Sequence, residues 1–411
     1  MNANDRALTG FTMLGHATFH AYELVIPILV VVWLDEFGVT PAVIGVVVGA
    51  AYALTGLGAL PAGLLADAYS AKRLVLLCIV GMSAGFALLS AANGLPAIAL
   101  GLLVWGAAAS VYHPAGLALI SRGAEARGSA FAYHGIGGNL GVAGGPLLGA
   151  VLLVALDWRQ VVLVMLVPAL VALVVGARLD FDETAGAAAR ENDASTADAV
   201  RDLRSVLADS KLLFAGGFAL VFLVGNLYGL YYRGVLTFLP EVLAGLPLFT
   251  PVEVGGRAIE PSRYVYSALL VFGAAGQFAG GKLVDRVPAE RALIGSFLAL
   301  AAVALVFIPA SNAGLAPLLV VGGVLGFLVF FEAPVNQEVV SRHVPPDARG
   351  ISFGYVYLAV LGVGAAGAAG AGIVLTRGSP AVLFGLLAAI AVVAAGLGVV
   401  LFRRFEPRGV G

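Results

Sequence analysis

His16, His20 and Glu23 follow one another at spacings of four and three inside a long apolar stretch, which puts two imidazoles and a carboxyl on one helical face with Pro27. A carboxyl in such surroundings can load or release a proton near neutral pH, and histidine is the other natural proton carrier. An ionisable side chain at the centre of a lipid bilayer costs roughly 2.5–3.5 kcal/mol, so it normally faces a cavity or a partner. The alternative role for all three is a structural hydrogen bond to a neighbouring helix.

Further polar residues interrupt other apolar stretches. His113 precedes Pro114, which removes a backbone donor where the imidazole sits. Glu332 precedes Ala333-Pro334 and shares a face with Asn336, whereas Gln337 turns away and Glu338 can pair with Arg342 one turn on. Asn226 and Arg233 lie seven apart and so share a face. Arg233 keeps its charge and calls for a carboxylate or an anionic substrate, or else it snorkels to the bilayer surface. His134 and Asn139 are candidates for substrate contact or for helix–helix hydrogen bonding, and Gln277 reads as packing. Tyr22, Tyr228, Tyr231 and Tyr232 can shape an amphipathic site or anchor at the interface.

The elements that carry these residues follow from composition. Of 411 residues, 60% are hydrophobic and 11% charged, and the mean hydropathy is +0.99. A soluble domain has about 25% charged residues, so lipid must be part of the solvent. A net charge of −1 offers no surface for nucleic acid, and the single Cys78 excludes an intrachain disulfide. Runs of about 20 apolar residues predict twelve helices near 8–34, 42–66, 73–92, 96–120, 128–154, 159–178, 212–243, 263–284, 290–310, 314–341, 350–375 and 380–402. The first is too long for a signal-peptide core and reads as a retained span. One polar, acidic linker at 179–211 separates a bundle at 1–178 from a bundle at 212–411.

Lys and Arg fall unevenly between the two sets of loops, 18 against 4, with Arg233 inside a span. The excess places both termini and the linker in the cytoplasm. A repeat supports the same topology. Gly63, Asp67 and Arg73 match Gly281, Asp285 and Arg291 at one common offset, and Pro114, Ser121 and Arg122 match Pro334, Ser341 and Arg342 at a slightly larger one. Internal symmetry of this kind is typical of secondary transporters.

Twelve spans, the six-plus-six repeat, the long linker and Gly-x-x-x-Asp loops after spans 2 and 8 resemble the major facilitator superfamily. That resemblance implies an all-α membrane fold, two six-helix bundles related by a pseudo-two-fold axis along the membrane normal. It also implies a cavity lined by spans 1, 4, 7 and 10, and a gating latch at Asp67 and Arg73. Without it, these charges read as ordinary interfacial residues. In span 5, Gly141-x-x-x-Gly145-Pro146-x-x-Gly149 resembles the motif of proton-coupled antiporters in the superfamily, or else serves generic close packing. Ala109-Ser110-Val111-Tyr112-His113-Pro114 and Gly137-Gly138-Asn139-Leu140-Gly141 are similar to the fosmidomycin-resistance type of exporter, although Ala115 stands where that type carries glutamate.

The expected function is alternating-access transport of a small molecule across the cytoplasmic membrane by a monomer, with the proton gradient as energy source and no cofactor or metal. Efflux antiport leads, and symport or facilitated import of a sugar, carboxylate or other metabolite is the alternative. Catalysis is not expected. His16-x-x-x-His20 with Glu23 suggests metal ligands, but no second ligand group stands out in the sequence, and Gly135-x-Gly137-Gly138 lacks the Lys-Ser/Thr of a phosphate loop.

Overall fold

The structure is a computed structural model, and it describes residues 1–187, 210–211, 213–214, 217–344 and 349–405. The linker residues Arg190, Glu191, Asp193, Arg201 and Arg204 lie outside the described residues, as do Arg408 and the side chains of Asp67, Arg349 and Phe353. Among those described, twelve helical spans are long and apolar enough to cross a membrane. Lipid offers no partner for a bare N–H or C=O, and a helix satisfies both internally.

In chain order the first half comprises α1 (Ala3–Phe37), α2 (Pro41–Leu57), α3 (Ala59–Ala68), α4 (Ala71–Ser90), α5 (Leu95–Ala109), α6 (Tyr112–Gly123), α7 (Arg127–Leu152), α8 (Trp158–Val164) and α9 (Leu166–Arg178). The second comprises α10 (Phe218–Ala244), α11 (Pro261–Val284), α12 (Ala289–Ala313), α13 (Leu315–His343), α14 (Arg349–Tyr357), α15 (Ala366–Arg377) and α16 (Pro380–Phe405). A π segment (Leu358–Gly362) and a 3-10 turn (Val363–Ala365) join α14 to α15. One exception to helix was not foreseen: β1 (Val252–Val254) and β2 (Arg257–Ile259) form a hairpin. Its turn, Gly255-Gly256, has φ of +60° and +77°, which side chains resist and two-residue hairpins require.

The chain divides into two compact units, one of Met1–Gly38, Ala50–Arg201 and Glu253–Ile259, the other of Val39–Gly49, Asp202–Val252 and Glu260–Gly411. Two short stretches thus group across the 179–211 division read from the sequence. The internal pairing of the units repeats. Span 1 packs on span 5 (α1 on α7) as span 7 packs on span 11 (α10 on α15), and span 3 packs on span 4 (α4 on α5) as span 9 packs on span 10 (α12 on α13). Span 4, however, is two helices broken at Ser110-Val111, with Pro114 in the first turn of α6, where a missing N–H costs nothing. Its counterpart, α13, runs unbroken through Pro334.

Glycine sets the closest approach in the first unit. A Cβ on Gly137, Gly141, Gly145 or Gly149 of α7 would meet Met13, Ala17, Ala21 and Val25 of α1 respectively, the first three through backbone atoms and the last through the Val25 side chain. The entry to α7 is held by Asp5 of α1, whose carboxylate accepts from the Glu125 N–H at 2.9 Å and the Ala126 N–H at 3.1 Å. Asn4 donates to the Gly123 and Asp182 carbonyls, both at 3.1 Å, which ties the start of the linker to the ends of α1 and α6. Glu183 in that stretch accepts from Ser70 Oγ at 2.5 Å and the Lys72 N–H at 3.2 Å, at the head of α4.

Two outcomes are expected on thermal unfolding of the purified protein. Gly145→Val forces its side chain into the Ala21 backbone and lowers stability by about 1–3 kcal/mol, whereas Gly144→Ala points into open space and is neutral or gains about 0.5–1 kcal/mol. Asp5→Ala leaves two donors at the head of α7 unmet and costs about 1–3 kcal/mol, a loss that Asp5→Asn restores in part through its remaining acceptor oxygen.

Candidate functional site

Four of the protein's five histidines converge in the first unit. Their placement begins with the α1–α7 contact. A Cβ on Gly138 would lie 2.5 Å from His16 Cε1, so glycine there leaves room for the His16 ring, which stacks on His134 with centroids 4.0 Å apart. His16 Nδ1–H donates to the His134 carbonyl at 2.8 Å. From the other side comes α6, whose Tyr112 hydroxyl donates to the Thr12 carbonyl at 2.5 Å and whose ring fills the notch at Gly15. His113 follows, its ring edge-on to His16 at 5.4 Å, to His20 at 5.7 Å and to Phe19 at 4.6 Å.

His20 joins this group to a carboxylate. Its Nδ1 lies 2.6 Å from Glu23 Oε2, and its Nε2 lies 3.1 Å from His16 Nε2. Glu23 is 2% exposed, and Tyr52 donates its hydroxyl to the Glu23 carbonyl at 2.9 Å. Such a chain can pass or share a proton along Glu23, His20 and His16. His16 is at the centre of the group. Asn139 is half-buried on α7, one residue beyond the glycine that admits His16.

The second unit carries a different chemistry at the corresponding spans. Glu332 on α13 is fully buried, and its Oε2 accepts from Ser296 Oγ of α12 at 2.5 Å. Its Oε1 meets no hydrogen-bond partner among the described residues, nor does Asn336 Oδ1 one turn on. Asn226 Nδ2 donates to the Phe222 carbonyl at 2.8 Å within α10, a local bond that ties it to its own helix. Arg233 is 1% exposed, with its guanidinium carbon 5.2 Å from the Tyr232 ring centre, so it lies in the interior and not at a helix end reaching for water. Tyr228 and Tyr231 donate to the Val329 and Leu300 carbonyls at 3.0 and 3.2 Å, which is interior packing and not interfacial anchoring. Ser296 also lines a cavity of about 420 Å³ with Arg291, Leu283, Leu328 and Phe331.

The repeated loops hold charge at helix ends. Arg122 donates to the Ala66 carbonyl at 2.5 Å, next to Asp67. Arg73 is exposed, and its N–H donates to Ser70 Oγ at 3.2 Å. Asp285 lies 3.9 Å from Lys282 Nζ with both exposed, a pair worth little in water, and Arg291 stacks over Phe402 at 5.0 Å. Glu338 pairs with Arg342 at 2.9 Å, as the spacing predicts, and a further pair, Glu290 with His343 at 2.9 Å, was not read from sequence.

The family model described as Major Facilitator Superfamily matches residues 11–368 and again 262–410. A "Multidrug resistance protein B homolog" of Mycobacterium tuberculosis is 29% identical over 171 residues, 41% of this chain; the chain spans about a third (32%) of that relative's length. Among solved structures, a D-xylose-proton symporter superposes with a TM-score of 0.73 at 16% identity, covering 96% of this chain and 97% of that one. The nucleoside transporter NupG gives 0.72 at 15%, covering 98% and 100%, and the human organic anion transporter MFSD10 gives 0.70 at 17%, covering 97% and 100%. With twelve spans, a repeated pattern of helix pairing and a family match across most of its length, the chain belongs to the Major Facilitator Superfamily and is a multi-pass membrane protein.

Proposed function

We propose that the protein is a proton-driven antiporter of the cytoplasmic membrane, exporting a small amphipathic or anionic compound by alternating access. The observation that carries the coupling is Glu332, a fully buried carboxyl with one oxygen on Ser296 and the other without a hydrogen-bond partner among the described residues, on a proline-containing helix. An ionisable group at this depth is costly unless it serves a cavity or a partner, and exchange of its proton can be tied to the opening of the site. Arg233, interior and permanently charged, supplies the attraction for an anionic group, and Asn336 and Asn226 supply hydrogen bonds. The direction rests on the Gly141, Gly145, Pro146 and Gly149 ridge, on the partial similarity to a multidrug resistance homologue, and on the His113-Pro114 segment that resembles fosmidomycin-resistance exporters. Both termini face the cytoplasm, the chain works as a monomer, and Asp67 with Arg73, and Asp285 with Arg291, latch the cytoplasmic ends.

The test uses proteoliposomes with an imposed pH gradient and a compound panel that includes fosmidomycin. Transported compound is expected to leave as protons enter. Glu332→Gln is expected to cut gradient-driven transport at least about tenfold while exchange of labelled for unlabelled compound persists, because binding survives and only the proton step is lost. A Glu332→Gln variant driven by the gradient as fast as the unaltered protein overturns the assignment. Protons and compound moving in the same direction would replace antiport with symport. A second expectation concerns charge selection: Arg233→Gln is expected to weaken transport of anionic members of the panel at least about tenfold more than that of neutral ones, read as the ratio of kcat/KM values.

A further inference from the structure

Two ring nitrogens cannot face each other at 3.1 Å with lone pairs alone; something positive must lie between them. His16 Nδ1–H is committed to the His134 carbonyl at 2.8 Å, which turns the lone pair of a neutral His16 ring to Nε2. His20 Nδ1 is committed to Glu23 Oε2 at 2.6 Å, which turns its Nε2 to the same point, and the two Nε2 atoms lie 3.1 Å apart. One arrangement fills that point with a shared proton. The other fills it with a metal ion, and the surroundings are those of a metal centre. Histidines that bind a metal through one nitrogen almost always donate the other N–H to a backbone carbonyl or a carboxylate, and here one histidine has each.

The third ligand comes from a different helix. Ring nitrogens of His16, His20 and His113 all lie within 4.8 Å of one another. Zinc–nitrogen bonds of about 2.0–2.1 Å at tetrahedral angles place ligand nitrogens roughly 3.3 Å apart, so the His16–His20 pair is already at that spacing and His113 needs a shift of roughly 1.5 Å. We propose that His16, His20 and His113 form a binding site for a divalent transition-metal ion of the zinc class, with Glu23 and the His134 carbonyl orienting the rings and a fourth position left open. Imidazole donors suit zinc, cobalt, nickel and copper and not magnesium or calcium. The bound ion clamps α1 to α6. This inference stands whether the protein exports or imports its substrate, and its test does not measure transport.

The full-length chain, purified without a histidine tag and stripped with chelator, is titrated with Zn²⁺ by calorimetry and with Co²⁺ by visible absorption. One equivalent is expected to bind at micromolar or lower concentration, with the visible bands of tetrahedral Co²⁺. His113→Ala and His20→Ala are each expected to weaken binding at least about tenfold, and Glu23→Gln about 10- to 100-fold by releasing the His20 ring. His343→Ala, in the other unit, leaves it unchanged. Failure of the folded, unaltered protein to bind one equivalent overturns the proposal without reference to any variant. So does binding that survives in the His20→Ala/His113→Ala double variant, or that is lost in His343→Ala, because the ion then sits elsewhere.

Discussion

The contact between α1 and α7 is a backbone-on-backbone contact, and most of what is chemically unusual in the first unit depends on it. Between apolar helices in lipid there is little hydrophobic drive to associate, so packing and hydrogen bonds must hold them. Glycines spaced four apart on α7 let Met13, Ala17, Ala21 and Val25 seat directly on the partner helix. Once α1 is seated at that depth, Gly138 has no side chain to exclude the His16 ring, and the His134 carbonyl is within reach of it. A side chain on any rung would lift α1 and separate His16 from its acceptor. The glycines of the antiporter-like motif thus continue, towards the other end of α7, a ridge whose first members, Gly137 and Gly138, make room for the imidazoles.

The two units keep the same order of helix pairing and differ in what they place inside. In the first, α1 and α6 bring imidazoles to a carboxylate; in the second, α12 and α13 bring a serine hydroxyl to Glu332. Duplication preserved the parts set by helix packing, which tolerates many sequences with small residues at the contacts, such as Gly276 against Phe327 and Gly326 against Leu269 in α11 and α13. It did not preserve the polar residues, because each needs only its own hydrogen-bonding surroundings to be tolerated inside. The division of chemistry between the halves is therefore free to be unequal.

Twelve spans were legible in the sequence because lipid demands long apolar helices and little else, and the interior place of Glu332 beside Asn336 was legible from spacing along one helix. The histidine group was not. His16, His20 and Glu23 show their shared face in the sequence, but His113 and His134 reach them only through the seating of α6 and α7 on α1, which one-dimensional spacing does not carry. The glycines on α7 were the available signal, read there as packing or as a family mark and not as room for a ring. The hairpin was missed for another reason. A search for apolar runs passes over Val252–Ile259, although Gly-Gly between two alternating strands is a strong turn signal.

The break between α5 and α6 gives the two repeats unequal mechanical compliance. In α13 the only bond withheld is the one Pro334 cannot donate to the Phe330 carbonyl, and the helix runs on past it, so a bend there is shared with the intact bonds on either side. In span 4 the ladder tightens and thins: the Val111 N–H bonds back only three residues, to the Ala108 carbonyl at 3.2 Å, while the Ser110 hydroxyl takes the Ala107 carbonyl at 2.7 Å, so a change of direction is concentrated at Ser110-Val111. His113 rides on the segment just beyond that joint. A small swivel there displaces its ring sideways while Tyr112, tethered to Thr12, acts as the pivot.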